Sequence, residues 1–140
     1  MKILVAADGS KYTKKALAFL VTQEGLAGPD GEILVLNVQL DFPPHVRRML
    51  GAPAIRAYQR DESRKVLEPV ERFLKRHKLT FRTRMVVGHY ADEIVKAAIA
   101  DKAQMIVMGT HGYGALGRAI MGSVATRVVA NAEVPVLLVK

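Results

Sequence analysis

Short continuous apolar runs alternate with longer segments of helical periodicity along this chain, and that alternation constrains the fold more than any other feature. The runs are "KILVAA" (2–7), "EILVLNVQL" (32–40), "LTFRTRMVV" (79–87), "AQMIVMG" (103–109) and "VPVLLV" (134–139). Between the first two, Ala16, Leu17, Leu20 and Val21 recur as one face of a helix spanning about Tyr12 to Glu24. A second helix is expected from about Ala54 to His77, with its apolar stripe at Val66, Leu67, Val70, Phe73 and Leu74. Pro69 lies inside that stretch and crowds the carbonyl of Lys65, so a kink is expected there. "DFPPHVRRMLGAP" (41–53), with three prolines, reads as an irregular connection. "GHYADEIVKAAIADK" (88–102) forms a third helix with Asp92 and Glu93 in its first turn, where the helix dipole favours acids. "SVATRVVANA" (123–132) forms a fourth.

The resulting order is β-α-β-α-β-α-β-α-β. It implies a single α/β domain over residues 1–140, a five-stranded, mainly parallel sheet with helices on both faces and right-handed crossovers. The run at 79–87 alternates Phe81, Thr83 and Met85 against Arg82, Arg84 and Val86, as a strand half open to water at a sheet edge would. In such sheets ligands bind beyond the carboxyl ends of the strands, where the strand order reverses. The loops expected to meet there are "ADGS" (7–10) and the glycine-rich segment that follows the fourth strand.

That segment, "GTHGYGALGRAIMGS" (109–123), holds five glycines. Glycine costs conformational entropy on folding, so a cluster of it implies backbone that bends sharply or approaches something closely. Ser123 is placed to cap the fourth helix, whose first N–H groups are unpaired and carry partial positive charge. Glycine just before a helix start lets a phosphate reach those groups without meeting a Cβ. Gly109 and Gly112 turn the chain back over the same spot, and Arg118 is placed to add a full charge. A loop that merely turns, with Ser123 as an ordinary cap, is the alternative. No Walker A "GK[ST]" exists. "GYGALG" (112–117) reads G-x-G-x-x-G, but it follows the fourth strand and no acid stands about twenty residues on, so it is not a dinucleotide fingerprint.

The spacing G-x-x-G, nine residues, then G-[ST] is present as Gly109, Gly112, Gly122 and Ser123. It resembles the nucleotide-binding branch of the universal stress protein family. "ILVAADGS", "LVLNV" and "VPVLLV" look like that family's opening, second and closing strands, so the resemblance covers the whole chain. It implies a Rossmann-like, adenine nucleotide alpha hydrolase-like fold and an ATP site. Gly109, Gly112, Gly122 and Ser123 would hold the phosphates. Asp8 would accept hydrogen bonds from the ribose hydroxyls or lie near a magnesium ion carried on the phosphates. Ala7 and Val38 would flank the adenine, Val38 through its backbone, with Met108 and Val124 lining the pocket. His111 and Arg118, in the loop itself, are candidate phosphate contacts. The chain departs from the family pattern at "VVGHYADEIV", where a proline is common near Tyr90 and an Asp or Asn near His89, so the third helix lacks an evident cap. For Asp8 the alternative is an acid that caps the turn after the first strand.

Function classes narrow from here. An ATP-binding regulatory or stress-response protein is the first reading, and a slow ATP-hydrolysing or phosphate-transferring enzyme the second. Efficient phosphoryl transfer needs groups that position water and stabilise transferred charge, and beyond Asp8, His111 and Arg118 no candidates stand out. A receiver domain is rejected, because "VVGHY" ends the third strand without an acid. Adenylyl-transfer loops of the "HxGH" or "SGGxDS" kind are absent. With no cysteine, disulfide and thiolate chemistry are excluded. His45, His77 and His89 have no metal-ligand spacing.

The net charge of +8 lies wholly in residues 45–84, which hold twelve Lys/Arg against four Asp/Glu. A solvated helix face is the ordinary explanation. Base-stacking aromatics are scarce there, so nucleic acid is not an expected partner. No apolar run reaches the roughly 18 residues that span a bilayer, and the N-terminus lacks a signal-peptide pattern. A cytoplasmic protein without a membrane partner is expected. The apolar "VPVLLV" is expected at a sheet edge, where it would pair with a second copy to form a homodimer.

Overall fold

The computed structural model describes residues 1–23, 25–112 and 121–140. Five parallel strands, β1 (Lys2–Ala6), β2 (Glu32–Gln39), β3 (Phe81–Val87), β4 (Met105–Gly109) and β5 (Val136–Val139), lie in the order β3-β2-β1-β4-β5. β1 is the first strand laid down and sits in the middle. The chain winds outward to β3 on one side, then crosses back to β4 and β5 on the other. The order therefore reverses between β1 and β4, and there the turn after β1 meets the described ends of the glycine-rich segment.

Side chains alternate across the central strands, and each set packs on its own helical layer. Ile3, Val5, Ile33, Val35 and Val107 bury against Ala16, Leu17 and Leu20 of α1 (Lys11–Thr22) and Leu67, Val70 and Leu74 of α3 (Ala52–Arg76). Leu4, Leu34, Leu36, Ile106 and Met108 face α4 (Tyr90–Ala100) and α5 (Ser123–Asn131) through Ala91, Ile94, Ala97, Ala98, Ala125 and Val128. A strand sandwiched between two apolar layers needs no polar face, which explains the continuous runs in β1, β2 and β4. The four alanines on α4 and α5 named here permit a close approach of those helices to the sheet.

Several boundaries differ from the sequence reading. Residues 41–53 are not irregular throughout: Pro44–Leu50 form a short helix, α2, with Pro44 in its first turn and Gly51 (φ 82°) at its end. Proline is tolerated at a helix start because its missing N–H has no intrahelical acceptor there, so the prolines that argued against helix begin one. α3 starts at Ala52, again with a proline, Pro53, in its first turn, and runs on through Pro69. α4 begins at Tyr90, its N-cap His89 makes no side-chain capping bond, as the sequence implied, and Asp92 and Glu93 lie in its first turn. The cap of α5 is Gly122; Ser123 is already the first helical residue and its side chain makes no capping bond. With Ser123 past the boundary, its hydroxyl is not spent on the helix start.

Candidate site at the sheet switch point

A cavity of about 850 Å³ opens beyond the carboxyl ends of β1, β2 and β4. Of the residues singled out from sequence, Ala7, Asp8, Val38, Met108, Gly109 and His111 line it, as do Gly112, Gly122, Ser123 and Val124. Arg118 lies outside the described residues, with Gly114 and Gly117. The volume suits a nucleotide-sized ligand, since small-molecule pockets run to roughly 300–1,000 Å³.

The turn after β1 is built around Asp8 and Thr13. Asp8 Oδ1 accepts from the Ser10 N–H at 2.8 Å and from the Thr13 hydroxyl at 3.0 Å, while Thr13 Oγ1 accepts from the N–H groups of Asp8 and Gly9. The turn-capping role of Asp8 is thus real, and it occupies one carboxylate oxygen. The other, Oδ2, faces the glycine segment: a Cβ on Gly112 would come within 2.5 Å of it. A Cβ on Gly109 would run into the Tyr12 side chain. These two glycines are where the loop passes too close to α1 and its leading turn for any side chain.

Gly122 is a different case. Its φ of −71° suits any residue. What a Cβ there would meet is the Thr110 carbonyl oxygen at 3.1 Å and His111 Cα at 3.3 Å. Its N–H donates to that same carbonyl at 2.7 Å. Gly122 is expected to hold phosphate, but its N–H is engaged within the loop. The donors left without an intrahelical acceptor at the start of α5 are those of Ser123, Val124 and Ala125, all in the cavity wall.

The far wall owes its chemistry to unequal strand lengths. β1 ends at Ala6, paired with Leu36, and the Ala7 N–H still reaches the Leu36 carbonyl at 2.9 Å. β2 runs three residues further. Because Leu36 turns its backbone groups toward β1 while Gln39 turns its carbonyl toward β3, accepting from Gly88 N–H, the alternation turns the N–H and C=O of Val38 toward the space β1 has vacated. Beneath it, buried Asn37 donates from Nδ2 to the Ala7 carbonyl at 2.9 Å and accepts from Gln39 Nε2 at 2.8 Å. This chain locks the end of β1 to the overhang of β2.

His111 is held by its surroundings. Nδ1 lies 2.9 Å from the Thr110 hydroxyl, and the ring sits 5.3 Å from that of Tyr12. Lys11 and Lys15 place their ammonium groups 5.3 and 5.6 Å from the Tyr12 centroid, so two cations accompany the ring that His111 meets. The sequence reading missed Thr13, Asn37, Gln39 and Thr110, and the contribution of α3 through Glu62, Lys65 and Val66. A signal existed for two of them: Asn37 and Gln39 are polar positions in an otherwise apolar strand end. The hydrogen bond from Lys65 Nζ to Glu62 (2.8 Å) holds that ammonium above its usual range.

The model of the universal stress protein family matches residues 1–140. A universal stress protein of Methanocaldococcus jannaschii is 35% identical over 99% of this chain and 81% of its own length. One from Thermus aquaticus is 35% identical over 99% and 97%. The solved structure of a second M. jannaschii protein superposes with a TM-score of 0.86 at 27% identity, covering 99% of this chain and 94% of its own. Three more distant structures share the fold at 20–22% identity, with TM-scores of 0.69–0.72 over all of this chain and at least 90% of theirs. They are a universal stress protein in complex with cAMP, an Arabidopsis thaliana family protein with AMP bound, and an Archaeoglobus fulgidus member with dAMP.

Proposed function

The chain belongs to the universal stress protein family, and from that premise we propose that it is an ATP-binding protein whose nucleotide occupancy serves a regulatory role in stress response. The observation that carries this reading is the convergence of three complementary groups in one cavity. The start of α5 offers unpaired N–H donors and partial positive charge for phosphates. Asp8 Oδ2 offers an acceptor for ribose hydroxyls or a place beside a magnesium ion held by the phosphates. Val38 offers an adjacent N–H and C=O, the pair an adenine edge requires. Met108 and Val124 supply apolar surface for the base. Relatives of the same fold that bind AMP, cAMP or dAMP support the adenine-nucleotide class.

Magnesium would depend on the nucleotide, because among the described residues no group of three His, Asp or Glu could hold a metal. When bound, it would neutralise phosphate charge. We read the chain as a binder with slow or no turnover, since Asp8 Oδ1 is committed to the turn and Asp8 and Glu62 are the carboxylates of the described cavity wall. We also propose that it works as a homodimer through β5.

Ser123 provides the sharpest test. Replacing Gly122 would crowd Thr110 whether or not a nucleotide binds. Ser123→Pro avoids that, because proline is favoured at the first helical position and Gly122 already has the extended backbone (ψ 161°) that precedes it comfortably. The substitution removes one N–H donor and the hydroxyl. Calorimetric titration should show ATP affinity falling on the order of 10- to 100-fold, as expected for losing a hydrogen bond to a charged group, with the melting curve retained. Ser123→Ala should fall less. Absence of heat with wild type at millimolar ATP, or equal affinity in Ser123→Pro, would overturn the nucleotide reading.

A further inference from the structure

Residues 40–60, the exit from β2 through α2 to the first turns of α3, form a surface that the nucleotide cavity does not explain. α2 has no buried residue. A seven-residue helix is marginal in water without packing, yet this one leaves Met49 82% and Leu50 55% exposed, beside Leu40 at 48% and Tyr58 at 54%. The stretch is folded together rather than trailing: Gln59 Nε2 donates to the Leu40 carbonyl at 3.1 Å, and the Phe42 and Tyr58 rings meet edge-on at 5.8 Å.

The charge of this surface is as distinctive as its apolar side chains. Its cations are four arginines, Arg47, Arg48, Arg56 and Arg60, all exposed, against a single acid, Asp41. Arg47 pairs with Asp41 at 3.4 Å; among the described residues the other three make no ion pair. No lysine occurs from 16 to 64. Arginine, methionine and tyrosine are enriched in protein–protein interfaces while lysine is depleted, and arginine binds carboxylates bidentately. A bare polyanion would leave Met49 and Leu50 unrewarded. A second copy would bring the same positive charge against itself.

We propose that residues 40–60 are a docking surface for a partner protein segment that combines acidic and apolar side chains. Tyr58 lies one helical turn before Glu62, which lines the nucleotide cavity, so such a partner would sit at the cavity's rim. The proposal does not require that ATP bind.

Fluorescence anisotropy on nucleotide-free protein tests it with a labelled synthetic peptide carrying Leu and Phe at helical i, i+3, i+4 and i+7 positions and Glu elsewhere. Oligoglutamate of equal length and vesicles of phosphatidylcholine with phosphatidylglycerol are the comparison ligands. The amphipathic peptide should bind at least about tenfold more tightly than oligoglutamate. Arg48→Glu with Arg56→Glu, and separately Met49→Ala with Leu50→Ala, should each weaken it about tenfold, the scale of one or two interface anchors. Lys2→Glu with Lys96→Glu makes the same net-charge change elsewhere and should weaken it much less. These side chains are exposed, so melting curves should be preserved. No binding of the peptide, equal affinity for oligoglutamate, or equal losses in the patch and remote variants would overturn the proposal. So would tighter binding to the vesicles with the same variant dependence, which would point to a lipid surface.

Discussion

The two edges of the sheet answer the same physical problem in opposite ways. A free edge strand presents unpaired N–H and C=O groups that invite another strand. β3 guards its edge with charge: Arg82 reaches Glu32 at 2.8 Å and Asp101 at 2.6 Å, and Arg84 meets the other oxygen of Asp101 at 2.9 Å. The hydrogen bond to Glu32, more than the nearby carboxylate of Asp101, raises the proton affinity of the Arg82 guanidinium. Among the described residues β5 has no such guard. Its four residues are Val, Leu, Leu and Val, all half-buried against the two core layers. Pro135 and Val139 turn their carbonyls to β4, accepting from Ile106 and Thr110, so by alternation Val136 and Leu138 turn their N–H and C=O outward. Among the described residues one edge is defended and the other has no cover, and the proposed pairing of two copies through β5 rather than β3 rests on that contrast.

The largest expected effect comes from closing the open edge. Leu138→Pro removes an outward N–H without touching the hydrogen bonds to β4, and proline is tolerated on an edge strand. Light scattering at micromolar concentration should report half the mass of the wild type. A wild type that is already monomeric, or a variant that still pairs, breaks the contrast. A smaller effect should follow from opening the guarded edge. Arg82→Val with Arg84→Val should produce species larger than the wild-type assembly, growing with protein concentration; unchanged size would mean that β3 needs no guard. The smallest effect concerns stability alone. Asp101→Asn weakens two charge-assisted contacts whose arginines are 46% and 36% exposed. Solvent screening limits the loss to about 1 kcal/mol, or about 3 °C in Tm for a chain of this size, measurable by calorimetry with no change in assembly. A drop several times larger would mark the cluster as structural rather than protective.

Much of this contrast is legible in the sequence. The alternation of Phe81, Thr83 and Met85 with Arg82, Arg84 and Val86 pointed to an edge strand, and β3 is one. The apolar "VPVLLV" pointed to the other edge, and β5 occupies it. The glycine spacing selects four residues that the fold gathers with Asp8 and Val38 around one cavity. Misreadings cluster where a local signal has two uses. Pro44 and Pro53 read locally as part of an irregular connection but start helices. Ser123 reads locally as a cap, yet Gly122 serves, because its N–H and missing Cβ both fit against Thr110.

Periodicity and turn chemistry are properties of neighbouring residues, so the sequence by itself determined the succession of strands and helices, the parallel sheet that succession demands, and the place of the glycine loop after a buried strand. Which strands became neighbours was decided by pairing between residues far apart in the chain, and the fine chemistry of the cavity follows from that. Val38 offers its backbone to the cavity because β1 stops at Ala6 while β2 continues to Gln39. Asp8 keeps Oδ2 toward Gly112 because Thr13, a turn later, takes Oδ1. Asn37 is tied to Ala7 across 30 positions of sequence. Such relations depend on where two strands end relative to each other, and no local pattern encodes that, because it exists only once the strands lie side by side.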